Sequence, residues 1–406
     1  MNHGNLQKIL FASRIKTSVI RDRSGGAAKN RIISFVVFTC ILLSSFTCFA
    51  EGDTMGLSCP SALLMEQSTG EILYEKDIHS KRPLASVTKI MTMLLAMEAI
   101  DAGKFTYDDM ITGSAHAKSM GGSTIFLDEG EQLSVRDILK GIAVASGNDA
   151  AVAMAEHIAG SEENFVAMMN ERAKQLGMNN TNFVNSNGLP ADNHYSTAYD
   201  IALMSRELMK HEDIFDYTTI WMDSLRNGEF TLSNTNKLIR FYEGATGLKT
   251  GSTDEAKFCI SATAKRNGMH LIAVIMAAPT SKERQKDAST LLNYGFSNYA
   301  LHTCASKGES VDNIHIAKSA SDTTEILCGE DAAYLYEKST SPEISREIIL
   351  NENMQPPYKA GEAAGKMIIK NADKEIAKVP LVFATDVDKL SLFGTFGKLL
   401  DNWVQI

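Results

Sequence analysis

Two residues that could form a catalytic pair, Ser86 and Lys89, stand three positions apart at the start of an apolar run. Residues with this spacing share one face of a helix, so the Lys89 amine would come within reach of the Ser86 hydroxyl. A serine hydroxyl is a poor nucleophile until a base removes its proton, and a lysine can be that base when burial or another cation lowers its pKa. Because Ser13 and Lys16 have the same spacing, the pair alone is weak evidence for a site.

Two further motifs could complete such a site. Ser146-Gly147-Asn148 lies between two helical segments, where short polar side chains can project into a cleft. Lys249-Thr250-Gly251 begins a series of predicted strands, where a glycine permits close approach of a ligand backbone and the lysine adds a second positive charge. Taken singly, the first motif could be a helix cap and the second a surface turn. The three motifs together predict a nucleophilic site with two lysines, each of which favours the neutral form of the other.

Hydrophobic periodicity predicts the elements that would hold these motifs. Residues 61–74 form one predicted β-hairpin, and residues 258–277 form another, because Asn267-Gly268 between two apolar runs is a strong hairpin signal. Helices are predicted over residues 90–99, 135–145 and 150–176. An antiparallel sheet with a large helical cluster is an α+β architecture, which we expect over residues 51–300.

The sequence changes in character after Tyr299. Short alternating segments separated by turns predict a small β-rich domain over residues 301–383. We expect residues 384–406 to contain an amphipathic helix, from about residue 388 to 405, that lies on a membrane surface; docking on the β-rich domain is the alternative. The apolar face of this helix would consist of Leu392, Phe393, Phe396, Leu399, Leu400, Trp403 and Val404.

The first 50 residues indicate export. Residues 32–50 carry no charge, Lys29 and Arg31 precede them, and Cys48 and Ala50 are small residues at the positions that a signal peptidase reads. We therefore expect residues 1–50 to be a basic leader and signal peptide. An uncleaved membrane anchor is the alternative, since a run of about 19 residues could just span a bilayer.

Charge and cysteine usage exclude several classes of function. The chain has a net charge of −9, and the leader holds seven Lys and Arg against one Asp, so residues 51–406 carry −15. Such an acidic body, without a basic stripe, excludes nucleic acid as a partner. No cysteine or histidine pair has the spacing of metal ligands, so we expect no metal or cofactor. The four cysteines after residue 50 are expected to be small buried hydrophobes.

The three motifs, in this order, resemble those of the penicillin-recognising serine enzymes. The sequences around them narrow the resemblance to the low-molecular-weight penicillin-binding proteins that are D-alanyl-D-alanine carboxypeptidases, over about residues 58–300. The segments that carry it are Pro83 to Thr92, Ala145 to Ala150, Asn187-Gly188-Leu189, His194 to Asp200 and Gly247 to Ser252. Anchored members of that family also carry a β domain and a terminal amphipathic helix.

The resemblance implies a role for each motif residue. It implies that Ser86 is the acylated nucleophile and Lys89 its base, and that Ser146 and Asn148 relay protons and bind the substrate amide. Lys249 would be the second cation, and Thr250, Gly251 and Ser252 would bind substrate. The backbone N–H groups of Ser86 and Ser252 would form the oxyanion hole, and Arg284 would contact the substrate carboxylate. It further implies β-lactams as ligands and peptidoglycan stem pentapeptides as substrates, which lose their terminal D-alanine on the outer face of the cytoplasmic membrane.

Three other functions are known on the same scaffold and are alternatives to a carboxypeptidase. A β-lactamase on the same scaffold would need a glutamate to activate water, and none occurs between Arg172 and Arg206. A D,D-endopeptidase using the same chemistry stays open, whereas a catalytically inert wall-binding relative would be expected to lack Ser86 or Lys89. We interpret His194 as structural and Glu162-Glu163 as a solvated face.

Overall fold

The computed structural model describes residues 55–391. The predicted leader and signal peptide, and nearly all of the predicted C-terminal helix, lie outside these residues. No helix between residues 55 and 391 is long and apolar enough to cross a membrane.

The first domain combines helices and strands, which confirms the predicted α+β class. Its strands are β1 (Ser61–Glu66), β2 (Ile72–Lys76), β3 (Met110–Thr112), β4 (Gln132–Ser134), β5 (Met222–Leu225), β6 (Phe230–Ser233), β7 (Ala245–Thr253), β8 (Lys257–Arg266) and β9 (Met269–Ala278). Its α-helices are α1 (Lys89–Asp101), α2 (Ala115–Lys118), α3 (Val135–Lys140), α4 (Asn148–Ala159), α5 (Glu162–Gln175), α6 (Ala198–Leu208), α7 (Phe215–Thr218), α8 (Leu238–Phe241) and α9 (Ser281–Asn298).

A five-stranded antiparallel sheet in the order β2-β1-β9-β8-β7 lies between two apolar layers. Successive residues of a strand face opposite sides, so Leu63 of β1 packs in the core of the helical cluster while Leu64 packs in the core beneath α9. The predicted hairpin between β8 and β9 is confirmed. Asn267 and Gly268 form its turn with φ of +49° and +80°, as a two-residue hairpin requires.

Helix α1 lies at the centre of the helical cluster and packs against α4 and α6. It is apolar around most of its circumference, from Ile90 to Met97, and almost all of these residues are buried. This burial places Lys89, the first residue of the helix, in the interior of the domain.

The single helix predicted over residues 150–176 is wrong. Helix α4 ends at Ala159 and is followed by Gly160, which has a φ of +77°. The hydroxyl of Ser161 then accepts a hydrogen bond from the Asn164 N–H and caps α5. A glycine in the left-handed region followed by a serine cap stops one helix and starts the next, although the apolar period continues through both.

Residues 299–391 contain strands and turns and no helix, which confirms the predicted small β domain. Its strands are β10 (Tyr299–Ala305), β11 (Ser310–Ile314), β12 (Thr324–Cys328), β13 (Ala332–Glu337), β14 (Ile344–Leu350), β15 (Ala363–Asn371) and β16 (Lys374–Phe383). β10 pairs with β13, and the others form a sheet in the order β11-β12-β16-β15-β14. The four cysteines between residues 55 and 391 are buried free thiols, as expected.

Residues 384–391, which are part of the predicted C-terminal segment, pair with strands and turns of the β domain. Val387 pairs with Tyr358 and Lys389 pairs with Ser319 in isolated antiparallel bridges, and Val387 is buried. Residues 384–391 therefore belong to the β domain because their backbone groups complete its pairing. The remaining residues of the predicted helix lie outside the described part of the chain.

Candidate active site

Ser86 lies in a short 3₁₀ turn, Ala85–Thr88, that leads directly into α1. Ala85 has a φ of +48°, a conformation that costs a non-glycine residue energy and persists only where the surroundings impose it. The Thr88 hydroxyl donates a hydrogen bond to the Ala85 carbonyl at 2.8 Å. Ser86 is thus held at a bend just before the helix, with its side chain only partly buried.

The Lys89 amine makes three polar contacts. Its Nζ lies 3.0 Å from Ser86 Oγ, 2.6 Å from Asn148 Oδ1 and 2.6 Å from the Asn187 carbonyl oxygen. An amide oxygen and a backbone carbonyl can only accept hydrogen bonds. In a neutral amine, both N–H groups therefore point at Asn148 and Asn187, and the lone pair is left for the Ser86 hydroxyl proton.

Both lysines of the site are buried, and burial disfavours their charged forms. Burial, reinforced by the charge of Lys249, lowers the pKa of Lys89 well below its ordinary value. Burial and the positive charge of Arg284 lower the pKa of Lys249 to about 7. The charge of one lysine therefore lowers the pKa of the other, as expected, in the case of Lys89. For Lys249 the charge that lowers the pKa comes from Arg284.

Ser146 and Asn148 lie at the predicted break between helices. The turn Gly141–Ala145 widens to a π-helix, Ser146 adopts a left-handed φ of +64°, and Asn148 starts α4. The Asn148 amide is fixed because its Nδ2 donates to the Gly121 carbonyl at 2.7 Å. Ser146 is buried beside it, and among residues 55–391 no hydrogen bond joins Ser146 to Ser86 or Lys89.

Strand β7 lies directly against the turn that carries Ser86. A side chain on Gly251 would come within 2.7 Å of the Leu84 carbonyl and 2.9 Å of the Ser86 nitrogen, so this contact requires glycine. The neighbouring Thr250 hydroxyl donates to Thr235 at 2.7 Å, and the next residue, Ser252, is exposed. The close approach brings the backbone of β7 beside the backbone N–H of the nucleophile.

Arg284 is buried behind this strand. Its Nη1 lies 3.4 Å from the carbonyl oxygens of both Gly251 and Cys259, and burial lowers its pKa to about 10. The structure therefore places the guanidinium against the backbone of β7 and β8, from where its charge acts on Lys249.

The loop at Asn187 contributes to the site although no role was predicted for it. Gly188, with a φ of +85°, packs so closely on the Ala85 carbonyl that a side chain there would lie 2.0 Å from its oxygen. The adjacent Ser186 carbonyl accepts a hydrogen bond from Thr92 at 2.6 Å. Asn187-Gly188-Leu189 was visible in the sequence only as a segment of the family resemblance, because a backbone carbonyl can belong to any residue type.

The interpretation of Glu162 as a solvated residue is wrong. Its carboxylate accepts hydrogen bonds from the Ser186 N–H at 2.9 Å and the Ser186 hydroxyl at 2.6 Å, and it lies 2.8 Å from His116 Nε2. Burial alone would raise the pKa of Glu162, but the hydrogen bonds from Ser186 and His116 lower it. Glu162 thus holds Ser186, and the carbonyl of the next residue, Asn187, accepts a hydrogen bond from the Lys89 amine. Glu163 is exposed.

His194 has a structural position: it contacts Thr88, the residue before Lys89, and not Ser86 or Lys89. Its Nδ1 accepts a hydrogen bond from the Val184 N–H at 3.0 Å, so its proton is on Nε2, which lies 2.7 Å from the Thr88 hydroxyl. Burial lowers the pKa of His194 to about 4, which keeps the ring neutral.

Among residues 55–391, no cluster of three or more His, Cys, Asp or Glu side chains is arranged to hold a metal.

Sequence profiles of two families match the chain. The D-alanyl-D-alanine carboxypeptidase profile matches residues 50–280, and the profile of the penicillin-binding protein 5 C-terminal domain matches residues 299–389. These two segments contain the site described above and the β domain, respectively.

Curated relatives and solved structures show the same likeness. The chain is 40% identical to D-alanyl-D-alanine carboxypeptidase DacF of Bacillus subtilis, over 92% of this chain and 99% of the relative. It is 35% identical to DacD of Escherichia coli, over 82% of this chain and 88% of that one. Penicillin-binding protein 5 of Haemophilus influenzae superimposes with a TM-score of 0.67 at 30% identity, covering 82% of this chain and 98% of that one. Ampicillin-bound penicillin-binding protein D2 of Listeria monocytogenes superimposes with a TM-score of 0.55 at 32% identity, covering 59% and 98%.

Proposed function

Because this chain belongs to the D-alanyl-D-alanine carboxypeptidase family of serine peptidases, we propose that Ser86 is the residue acylated when it releases the terminal D-alanine of a peptidoglycan stem peptide. The observation that carries this assignment is the Lys89 amine, 3.0 Å from the Ser86 hydroxyl and bound on its other sides to two acceptors. The lone pair of this amine is therefore directed at the Ser86 hydroxyl proton.

Acylation begins with a proton transfer from Ser86 Oγ to the lone pair of Lys89 Nζ. The serine oxygen then bonds to the carbonyl carbon of the penultimate D-alanine. The backbone N–H groups of Ser86 and Ser252 are the proposed donors to the resulting oxyanion, and the contact of Gly251 with the Ser86 nitrogen supports this pairing. Asn148, whose Oδ1 lies 2.6 Å from Lys89 Nζ, is the proposed partner of the substrate amide.

The intermediate breaks down when the C–N bond to the terminal D-alanine cleaves. The proton taken by Lys89 passes to the leaving amine, with the Ser146 hydroxyl as the proposed relay, so Lys89 becomes neutral again. Thr250 and the positive charge of Lys249 are proposed to bind the terminal carboxylate, with Arg284 supporting the strand behind them. Water then adds to the ester carbonyl, and the bond from that carbon to Ser86 Oγ breaks. The shortened peptide leaves as a carboxylic acid, and a proton of the attacking water restores the Ser86 hydroxyl.

Relatives in this family bind β-lactams, and one is solved with ampicillin bound. We infer that a penicillin acylates Ser86 by the same first step. The described loop from α5 to α6 contains no glutamate and gives the site the Asn187 carbonyl instead, so we expect hydrolysis of the adduct to be slow.

Mass spectrometry of the enzyme after incubation with benzylpenicillin tests the assignment. We expect one added penicillin mass, located by peptide mapping on the peptide that contains Ser86. Ser86→Ala should abolish both the adduct and D-alanine release, whereas Ser310→Ala, an exposed serine of the β domain, should retain both. An adduct that persists in the Ser86→Ala protein would show that the nucleophile is another residue.

We also propose that the enzyme is exported and works on the outer face of the cytoplasmic membrane. The uncharged run of residues 32–50 behind Lys29 and Arg31 supports export. The apolar residues between Leu392 and Val404 support attachment through an amphipathic helix that lies on the membrane surface.

A further inference from the structure

A cavity of about 410 Å³ lies close to the proposed active site, because His194 in its lining is 2.7 Å from the hydroxyl of Thr88, the residue before Lys89. One wall is the segment from Lys81 to Pro83, which ends three residues before Ser86, and the opposite wall is the loop from Pro190 to Tyr195. Glu255, three residues after Ser252, closes a third side. The cavity is thus built from the chain segments that flank the nucleophile, the loop at Asn187 and the end of β7.

The course of β7 determines which part of a substrate would reach this cavity. A substrate with its terminal carboxylate at Lys249 and Thr250, and its reacting carbonyl between Ser86 and Ser252, lies along the strand in a known direction. Its preceding residues then extend beyond Ser252 toward Glu255, at about 3.3 Å for each residue. The residue before the two D-alanines would therefore lie at the Glu255 end of β7, and Glu255 lines the cavity.

The charges that line the cavity are mixed. Lys81, Asp192 and Glu255 are all exposed there, and among residues 55–391 none of the three takes part in an ion pair. The Lys81 ammonium lies 4.8 Å from the centre of the Tyr195 ring, and this contact keeps it on the wall of the cavity. The remaining lining includes two rigid prolines and a neutral histidine. A substrate side chain with only a positive charge would leave Lys81 without a partner, and one with only a negative charge would leave Asp192 and Glu255 without one.

We propose that this cavity is a specificity site for the side chain that precedes the two D-alanines, and that it fits a side chain whose end carries both an ammonium and a carboxylate. The ammonium pairs with Asp192 and Glu255, and the carboxylate pairs with Lys81. The inference rests on the proposed carboxypeptidase function, because it uses the direction of a substrate bound at Ser86.

Three synthetic peptides of the form acetyl-X-D-Ala-D-Ala test this proposal. In these peptides X is meso-diaminopimelyl, with both charged groups, lysyl, with the ammonium alone, or Nε-acetyl-lysyl, with neither. We expect kcat/KM for D-alanine release to fall in that order, by up to about fivefold at each step, as is typical of exposed ion pairs. Both steps should shrink at 1 M salt, where screening is strong.

Charge-removing variants assign each step to its residue. Lys81→Met should abolish the preference for the diaminopimelyl over the lysyl peptide. Asp192→Asn with Glu255→Gln should abolish the preference for the lysyl over the acetyl-lysyl peptide. Asp254→Asn removes a charge from the residue next to Glu255 that does not line the cavity, and it should keep the wild-type order.

Equal kcat/KM for the three peptides would overturn the proposal, as would preferences that survive in the cavity variants or that Asp254→Asn removes equally well. Failure of the proposed function gives a different result, because no peptide would then release D-alanine and benzylpenicillin would leave Ser86 unmodified.

Discussion

Lys89 illustrates how the surroundings of one amine select its chemistry. Two acceptors, Asn148 Oδ1 and the Asn187 carbonyl, fix both hydrogens of the neutral amine and leave its lone pair toward Ser86. Burial supplies the neutral form. The same three contacts would hold a protonated amine, so the lowered pKa and the geometry are both necessary for a base.

A guanidinium at this position should not act as a base, since it stays protonated at every pH that the enzyme tolerates. We expect Lys89→Arg to lower the rate of penicillin acylation by about 100-fold to 10,000-fold, the usual range for loss of a general base. Stopped-flow or mass-spectrometric measurement of adduct formation checks this, with circular dichroism to confirm folding. Acylation of a folded Lys89→Arg protein at the wild-type rate would exclude Lys89 as the base.

The two lysines predict a bell-shaped pH dependence of kcat/KM. Acylation should rise with pH through the lowered pKa of Lys89, because only its neutral form accepts a proton. Activity should fall as pH rises through the pKa of Lys249, about 7, because the neutral amine no longer attracts the substrate carboxylate. In Lys249→Arg the descending limb should disappear while the ascending limb stays. If the descending limb remains near pH 7 in that variant, another group causes it.

The side chains that meet at the site could be predicted from the sequence, whereas its backbone groups could not. Ser86, Lys89 and Asn148 belong to short motifs whose chemistry can be read from residue types, and the structure brings them together. The Asn187 carbonyl and the role of Glu162 could not be predicted in this way. Any residue supplies a carbonyl, and an acidic residue at the start of a helix is usually solvated.

At the scale of elements, the loop between α5 and α6 is the part that links the helical cluster to the nucleophile. It contacts Ala85 through Gly188, Thr92 through Ser186 and Lys89 through Asn187. Glu162, at the start of α5, is bonded to this loop by two hydrogen bonds. The orientation of the lysine therefore depends on an element that lies 98 residues away in sequence.

Glu162→Ala should free Ser186 and let the Asn187 carbonyl move. We expect the acylation rate to fall by about tenfold to 100-fold, because displacements of about 1 Å have effects of that size. Glu163→Ala, at the exposed neighbouring position, is the matched control and should retain the wild-type rate. Glu162→Gln should recover most of the rate, since an amide oxygen can still accept from Ser186.

The Glu162→Ala variant also distinguishes a role in positioning the loop from a simple loss of stability. A destabilised but correctly arranged protein would show a lower melting temperature and a normal rate at 20 °C. Normal acylation by folded Glu162→Ala would mean that the loop keeps its arrangement without this carboxylate.

The elements themselves were predicted where one period continued without interruption. The hairpins β1-β2 and β8-β9 and helix α1 follow from alternation, an Asn-Gly turn and a long apolar run. The division between α4 and α5 was missed because the apolar period continues across Gly160 and outweighed the turn signal at that residue. The π-turn before Ser146 has no signature in composition.

At the scale of the whole molecule, the described residues form a catalytic domain followed by a β domain that extends to residue 391. The bridge of Lys389 to Ser319 means that a C-terminal truncation must come after Ser391 to leave the β domain intact. The charges at Lys398 and Asp401 cancel, so any attraction of the last residues to a membrane rests on apolar burial.

Liposome co-sedimentation tests the proposed attachment. The protein ending at Ile406 should pellet with vesicles of phosphatidylglycerol and phosphatidylethanolamine, and the truncation after Ser391 should stay in the supernatant. Phe393→Ser with Phe396→Ser should weaken pelleting as well, without a change in D-alanine release from a soluble peptide. Equal recovery of all three proteins in the supernatant would show that the last residues dock elsewhere.

The long sequence separations within the site have a consequence for biogenesis. Ser86 and Lys89 are neighbours in the chain, but their arrangement depends on Asn148, 59 residues from Lys89, and on Asn187, 98 residues from it. A newly synthesised chain contains the serine long before these contacts exist, because long-range contacts form late in folding. A fluorescent penicillin should therefore label only molecules that have completed maturation, and labelling kinetics would follow the assembly of the domain rather than its synthesis.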